Sequence, residues 1–577
     1  HTLNGTKYQT IHMNPKSFTA TQMFGALGPS GDWTDGIFSS TFRRACKRED
    51  DHIWLVLDGP IDTIWIESLN TCLDDNKLLT LANSDRIPMS RYLKLVFEID
   101  SLDNASPATV SRAGIIYMSD KLLGWKPVLK AWIKERTATQ AAVFEPLFMD
   151  LLDELQKYVE IDLTPMMDIP FMSPAVTLMN ILETLLPKND PTMKAKDIIE
   201  FSEIHLKRIF SFAAFWAFGS LLEWTDRKAF TERVLGDAGW NTPPVNVAKE
   251  ETVFDYFVND NGEWRHWNEK VDHYEYPSEG DEPDFSSILI PTVDNTRVHF
   301  LLEKLVLNGF PVLLLGESGT AKTVSILSYL ESQPEDVVTR RVNFSSATTH
   351  NIFQNNIEEF VEKRMGNNYG PPAGKRGIIF VDDFNMVEVN EWGDMPTNEI
   401  VRQLIESRML YSLEKPGDWF KLDDLFFVAA MQHPGGGRND IPRRLKRQFS
   451  VFNVTLPSAT SVDHIYGTII EGHFSEERGF SGDVVDMSKK LTSLMRLVWS
   501  STKAKMLPTP AKLHYIFNLR DLSRITQGIL RSTPEKVNDA VQLLQLWRHE
   551  CCRVLPDKFT NQQDTTWFDN RVLETLQ

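Results

Sequence analysis

The stretch VLLLGESGTAKT at residues 312–323 decides the fold: four apolar residues run as a strand into a glycine-containing loop that ends in Lys-Thr. In that spacing, G-x-x-x-x-x-K-T, the backbone N–H groups of Gly316, Glu317, Ser318, Gly319, Thr320 and Ala321 are placed to cradle the α- and β-phosphates of a nucleotide. Lys322 would reach the β- and γ-phosphates, and the hydroxyl of Thr323 is placed to hold Mg2+. Ala321 stands where the signature has a second glycine; its small side chain keeps close backbone approach but gives up conformational freedom. Taken alone, such a loop could also be a strand, turn and helix that bind nothing.

A second pattern points the same way. In GIIFVDDFN at 377–385, apolar residues lead into Asp382 and Asp383, which reads as a buried parallel strand delivering acids at its C-terminal end, where α/β sheets bind ligands. Asp382 is the expected Mg2+ ligand, and Asp383 the group that orients or deprotonates the attacking water. The segments 337–345, 425–432 and 449–456 also read as strands, and their alternation with helical stretches such as 398–407 predicts a doubly wound sheet. Gln432, ending one of them, is placed either to contact a γ-phosphate or its water, or merely to cap the strand. HPGGGR at 433–438 must be an exposed loop, because three glycines do not hold regular structure cheaply.

At 577 residues the chain exceeds one ordinary core, and its 42% hydrophobic and 24% charged content is that of a globular protein. The longest uncharged apolar run, 209–222, is shorter than the ~20 residues that span a bilayer and reads as a buried helix. The net charge of −18 opposes nonspecific binding to nucleic acid or to an anionic membrane. Cys46, Cys72, Cys551 and Cys552 lack metal-ligand spacing and read as reduced thiols of an intracellular compartment. Opening on His1 with no signal-peptide pattern, the sequence reads as a piece of a longer polypeptide.

RRLKRQF at 443–449 is a cationic helix end just before the last strand. It is either a solvated face or, as in ring-forming nucleotidases, the source of an arginine that reaches the neighbouring module's nucleotide; Arg447 is the first choice and Arg444 the reserve. A weaker copy of the whole order lies upstream: HIWLVLDG at 52–59 mirrors the acid-bearing strand, YLKLVFEID at 92–100 the Gln432 strand, and Arg112 precedes GIIYMSD at 114–120, the counterpart of the final strand. Two modules therefore sit in tandem. The upstream phosphate loop falls outside the chain, and Asp58 is followed by Gly59, which leaves a possible metal ligand but no candidate base. That module is expected to bind nucleotide without turning it over.

At this point a family resemblance becomes specific. IWLVLDGPIDTIWIESLNTCLDDNKLLTLANSDRIPM at 53–89 and DNASPATVSRAGIIYMS at 103–119 resemble the second AAA+ module of a dynein heavy chain. ILIPTVDNTR at 288–297, GIIFVDDFNM at 377–386, AAMQHPGGGR at 429–438 and HYIFNLRDLSR at 514–524 resemble its third module. The match covers essentially the whole chain, and the Asp-Asp pair followed by Phe-Asn-Met is more like axonemal dyneins than cytoplasmic ones. The resemblance implies an α/β fold of tandem AAA+ modules, each a doubly wound parallel P-loop NTPase sheet followed by an α-helical lid, with ATP or ADP and Mg2+ as cofactors. It makes Arg112 the finger for the preceding module and Arg447 that for the second module's nucleotide; Ile290, Pro291 and Thr292 would touch the adenine side of the third site, and Arg520 would sense its γ-phosphate. Ala321, and Asp383 where a hydrolytic site usually carries glutamate, put fast turnover in doubt.

The expected boundaries are 1–120 for the incomplete α/β part of the second module, 121–262 for its lid, 263–287 for a connector, 288–458 for the third α/β part and 459–577 for its lid. Trp264, Trp267 and Tyr274 in the connector form either a partner-binding stripe or a strap packed against a lid. The resemblance implies a structural and regulatory section of a microtubule motor in a cilium or flagellum. Its partners would be neighbouring AAA+ modules of the same heavy chain, with intermediate chains, light chains and microtubules reached through other parts. The alternatives are an independent AAA+ remodeller and a scaffold that binds nothing.

Overall fold

The computed structural model describes residues 2–3, 6–48, 52–187, 200–277, 285 and 288–576, so His1 and residues 278–284 of the acidic connector stretch lie outside it. Nine strands and nine helices carry the description below. The strands are β1 (Thr2–Leu3), β2 (Thr6–Met13), β3 (His52–Asp58), β4 (Leu93–Glu98), β5 (Val312–Leu315), β6 (Val337–Asn343), β7 (Arg376–Asp382), β8 (Leu425–Met431) and β9 (Ser450–Asn453). The helices are α1 (Glu203–Gly219), α2 (Val293–Leu305), α3 (Lys322–Glu331), α4 (Pro396–Ser407), α5 (Ala459–His473), α6 (Gly482–Lys505), α7 (Leu519–Leu530), α8 (Ala540–Val554) and α9 (Gln562–Leu576). The chain forms two compact units, one of His1–Thr192, Lys304–Leu314 and Ser332–Phe452, the other of Met193–Glu303, Leu315–Glu331 and Asn453–Gln577.

The first unit holds two sheets built on one plan. One has the order β1-β2-β3-β4 and the other β6-β7-β8-β5-β9. The pairs β2–β3 and β3–β4 are parallel, as are β6–β7 and β7–β8. The apolar run of β7 is buried from Gly377 to Asp382, which is what a strand covered on both faces requires. Parallel register sets Asp58 opposite Glu98 and Asp382 opposite Asn343, so each sheet gathers polar side chains at its C-terminal edge.

One expected strand does not form. Residues 114–119 carry no strand, and Ile115, Ile116 and Tyr117 are 56%, 85% and 85% exposed. In the downstream sheet the final strand β9 lies beside β5, which leads into the phosphate loop. Among the described residues no equivalent of β5 stands beside β4, so this β-prone segment has no edge to satisfy its N–H and C=O groups.

The second unit is mainly helical. The long apolar run is α1 and the turn after it, buried from Ile209 to Leu222. Buried Arg227 donates to the carbonyls of Ser220 and Leu222, just past the C-terminal end of α1, and to that of Asn453. No helix among the described residues is long and apolar enough to cross a membrane. Helices α5–α9 close around Tyr466, Leu491, Met495, Ile525, Trp547 and Phe568. Trp264 pairs opposite Val258 in a two-stranded hairpin, and Trp267 is fully buried with its ring 4.7 Å from that of Phe257 and 5.2 Å from that of Phe300. Tyr274 packs in an apolar cluster with Ile290, Ile469 of α5 and Leu530 of α7. Trp267 and Tyr274 therefore serve packing. All four cysteines are free.

Candidate functional site

In the second unit the phosphate loop leaves β5 and enters α3 at Lys322, so the first backbone N–H groups of a ten-residue helix face the loop. A Cβ on Gly316 would meet the Val454 carbonyl oxygen at 2.6 Å, which requires glycine there. Gly319 has φ +88° and lies against Asn518 and Leu519 at the start of α7. The buried Lys322 ammonium donates to the carbonyls of Gly316 and Glu317 at 2.8 and 2.6 Å and to the hydroxyl of Thr320 at 3.3 Å. From the lid, Lys503 of α6 lies 3.5 Å from the Glu317 carboxylate. A cation folded into a loop of backbone amides at a helix N-terminus fits an anion of phosphate geometry.

Ala321, in the place of the second glycine, adopts φ +63°. A non-glycine residue there carries strain of about 1 kcal/mol. Ala321→Gly is therefore expected to add about 1 kcal/mol to the stability of the loop conformation, seen as a higher melting temperature or tighter phosphate binding. If both readings match wild type, the left-handed backbone costs nothing.

Around this loop, Ile290 and Thr292 are buried, and the Thr292 hydroxyl accepts from the Asn295 N–H at 3.3 Å where α2 begins. Pro291 between them is half-buried. The Ser325 hydroxyl of α3 donates to Asn295 Oδ1 at 3.2 Å, which draws 290–295 alongside the phosphate-loop helix. Ser461 of α5 donates to Asp294 at 2.9 Å. Arg520 is exposed in the first turn of α7, its own N–H donating to Asn518 Oδ1 at 3.0 Å.

The acids lie in the first unit. Asp382 ends β7 and accepts from Arg341 at 2.9 Å and from the Asp383 N–H at 3.1 Å. Asp383 has φ +52°, and its half-exposed carboxylate lies 3.5 Å from the Arg438 guanidinium. Gln432 follows β8; its carbonyl accepts from the fully buried Asn385, which also donates to the carbonyl of Asn439. Asp382, Asp383 and Gln432 thus share one sheet edge, with Asn385 pinning the glycine-rich loop beside them. The three glycines of that loop are exposed.

The upstream sheet edge is occupied. Arg402 of α4 donates to Asp58 Oδ2 and to the Asp58 carbonyl, both at 2.8 Å, while Arg444 forms a close ion pair with Asp58 Oδ1 and donates to the Glu98 carbonyl at 3.1 Å. Burial lowers the Arg444 guanidinium to about 10. Arg447, the first choice from sequence, instead pairs with Glu406 of α4 at 2.5 Å, so the reserve Arg444 is the one that reaches Asp58. Asp58, expected to stand open as a metal ligand, has both carboxylate oxygens engaged by guanidinium groups. Arg402 also binds Glu399 at 3.0 Å and Glu406 at 2.8 Å, and Asn14 donates to Glu399 at 2.9 Å. A cavity of about 270 Å³ opens here, lined by His12, Asn14, Asp58, Glu98, Arg402 and Glu406. Arg112 pairs with Asp74 and donates to the Ala108 carbonyl.

The chain is similar to known families along most of its length. Residues 277–457 match the P-loop containing dynein motor region, 144–269 the dynein heavy chain AAA lid domain, and 493–577 the AAA+ lid domain. It is 48% identical over 580 residues to dynein axonemal heavy chain 5 of Rattus norvegicus, covering 99% of this chain and 16% of that protein. Dynein axonemal heavy chain 8 of Homo sapiens is 46% identical over 99% of this chain and 13% of its own length. The dynein gamma chain, flagellar outer arm, of Chlamydomonas reinhardtii is 44% identical over the same shares. The chain thus spans about one-eighth to one-sixth of the length of these curated relatives.

Proposed function

The chain belongs to the dynein heavy chain family, and from that premise we propose that it is an ATP-binding relay segment of a motor ring, comprising parts of two adjacent AAA+ modules. The downstream module holds Mg-ATP or Mg-ADP. The loop amides of Gly316 to Ala321 and Lys322 take the phosphates, Thr323 and Asp382 take Mg2+, and Ile290, Pro291 and Thr292 flank the base. Asp383 and Gln432 position water, and Arg520 reads the terminal phosphate. The observation that carries this reading is Lys322, folded into a strained amide loop at the start of α3.

Turnover by this segment alone is slow. Asp383 is one methylene shorter than the glutamate usual in hydrolytic sites, and the finger for this module belongs to the module that follows it in the ring. For the upstream nucleotide, Arg444 is the finger that the contact with Asp58 supports, in place of Arg447. Arg112 plays the same part for the module before. Movement along microtubules, association with intermediate and light chains, and residence in the axoneme of a cilium or flagellum belong to the heavy chain as a whole.

Titrating Mg-ADP and Mg-ATP into the chain by calorimetry, with steady-state phosphate release measured in parallel, tests this. Binding with turnover near background is expected. Sustained turnover would instead favour an independent ATPase, and absence of binding by the folded chain would leave a structural scaffold.

A further inference from the structure

The aromatic strap that precedes Ile290 is bonded to the lid. A Cβ on Gly472 of α5 would meet Tyr276 Cβ at 2.3 Å and Cγ at 2.5 Å, so the tyrosine lies directly on bare helix backbone. The Arg478 guanidinium sits 5.3 Å from the centre of the Tyr276 ring and donates to the Pro277 carbonyl at 3.2 Å. Residues 465, 469 and 472 fall on one stripe of α5 at helical spacing, i, i+4 and i+7. Ile469 packs on buried Ile290 together with Leu530 of α7, and Tyr274, Tyr276 and Ile465 close the same cluster. The strap therefore presses the C-terminal half of α5 onto the residue that begins the 290–295 segment. The end of that segment is tied to α3 through Asn295 and Ser325.

We infer that the strap at Tyr274 and Tyr276 is a positioning element for the nucleoside end of the nucleotide. Resting on the proposal that the downstream module binds nucleotide, it holds α5 against Ile290 and so fixes the wall beside the base, without touching the phosphates. Phosphate affinity and nucleoside affinity should then separate. Mg-ADP engages both ends of the site, whereas Mg-pyrophosphate engages the phosphate loop alone.

The test is calorimetric titration of the whole chain with each ligand. Tyr276→Ala is expected to weaken Mg-ADP about tenfold, the loss of one packed aromatic wall, and to leave Mg-pyrophosphate unchanged. Gly472→Ala, whose methyl group displaces the ring from the other side, should do the same, and Tyr276→Phe should restore wild-type binding. Equal weakening of both ligands would mean general loosening of the fold and would overturn the inference, as would unchanged ADP affinity in both alanine variants. Should wild type bind neither ligand, or Lys322→Ala bind both as wild type does, the nucleotide reading itself fails and the strap falls with it.

Discussion

Arg402→Met is expected to lower the unfolding free energy by about 3–5 kcal/mol, the cost of leaving buried carboxylates without their cation. Arg402 is 1% exposed and is the shared partner of Glu399, Glu406 and Asp58, so a methionine of similar length keeps the packing and removes only the charge and its donors. Burial already holds the Glu399 carboxyl above its ordinary range, against the pull of Arg402 and the Asn14 hydrogen bond. Without the guanidinium it rises further. A carboxyl whose folded value lies above its unfolded one contributes stability below the unfolded value and loses it as pH rises through the folded one. The gap between wild type and variant should therefore be widest in neutral and alkaline solution and narrow toward about pH 5. Urea melts across that range check it. Adding Glu399→Gln should recover part of the loss at neutral pH, since it removes one of the stranded charges. A single-variant cost below about 1 kcal/mol would show that water reaches the network despite its burial.

The same residue shows where reading the sequence stops. Residues 398–407 were legible as a helix, because Ile400, Val401 and Leu404 repeat at helical spacing. Nothing local distinguished Arg402 from a solvated charge, for Asp58 stands 344 residues away in sequence. The cationic run at 443–447 was legible as a source of arginines, yet side chains three apart on a short turn differ only in what each faces, and packing, not spacing, sends Arg444 to Asp58 and Arg447 to Glu406. Residues 114–120 failed for the opposite reason. Their β-propensity was read correctly, but a strand also needs an edge to pair with, and among the described residues β4 has no neighbour in the place that β5 takes beside β9. The phosphate loop and the Asp-Asp pair were legible as patterns because each is contiguous: a few adjacent residues, following a buried strand, form the motif whatever the rest of the chain does. The positive φ values of Ala321 and Asp383 were not visible, although a small or short polar residue at a turn is where such backbone is tolerated.

Lys322→Ala should weaken Mg-ATP and Mg-ADP by at least about tenfold and toward a hundredfold, while the chain stays folded. A hydrogen bond to a charged partner is worth about 1.5–3 kcal/mol, and here the lost donor also carries the positive charge that offsets the phosphates inside the loop. The effect on the protein by itself is smaller. The ammonium bridges the carbonyls of buried Gly316 and exposed Glu317, so only the Gly316 carbonyl is left away from water when this donor goes, and the melting temperature should move by only a few degrees. Calorimetric titration and thermal melting on the same preparation separate the two outcomes. Large loss of affinity with a small shift in melting places the phosphates on this loop. Affinity kept at the wild-type level would move the nucleotide elsewhere, and the strained backbone at Ala321 would then need a reason other than phosphate binding. On the proposed reading, in which a neighbouring module supplies the finger for this one, wild type and variant should show the same background turnover, so the difference between them must be read in binding and not in rate.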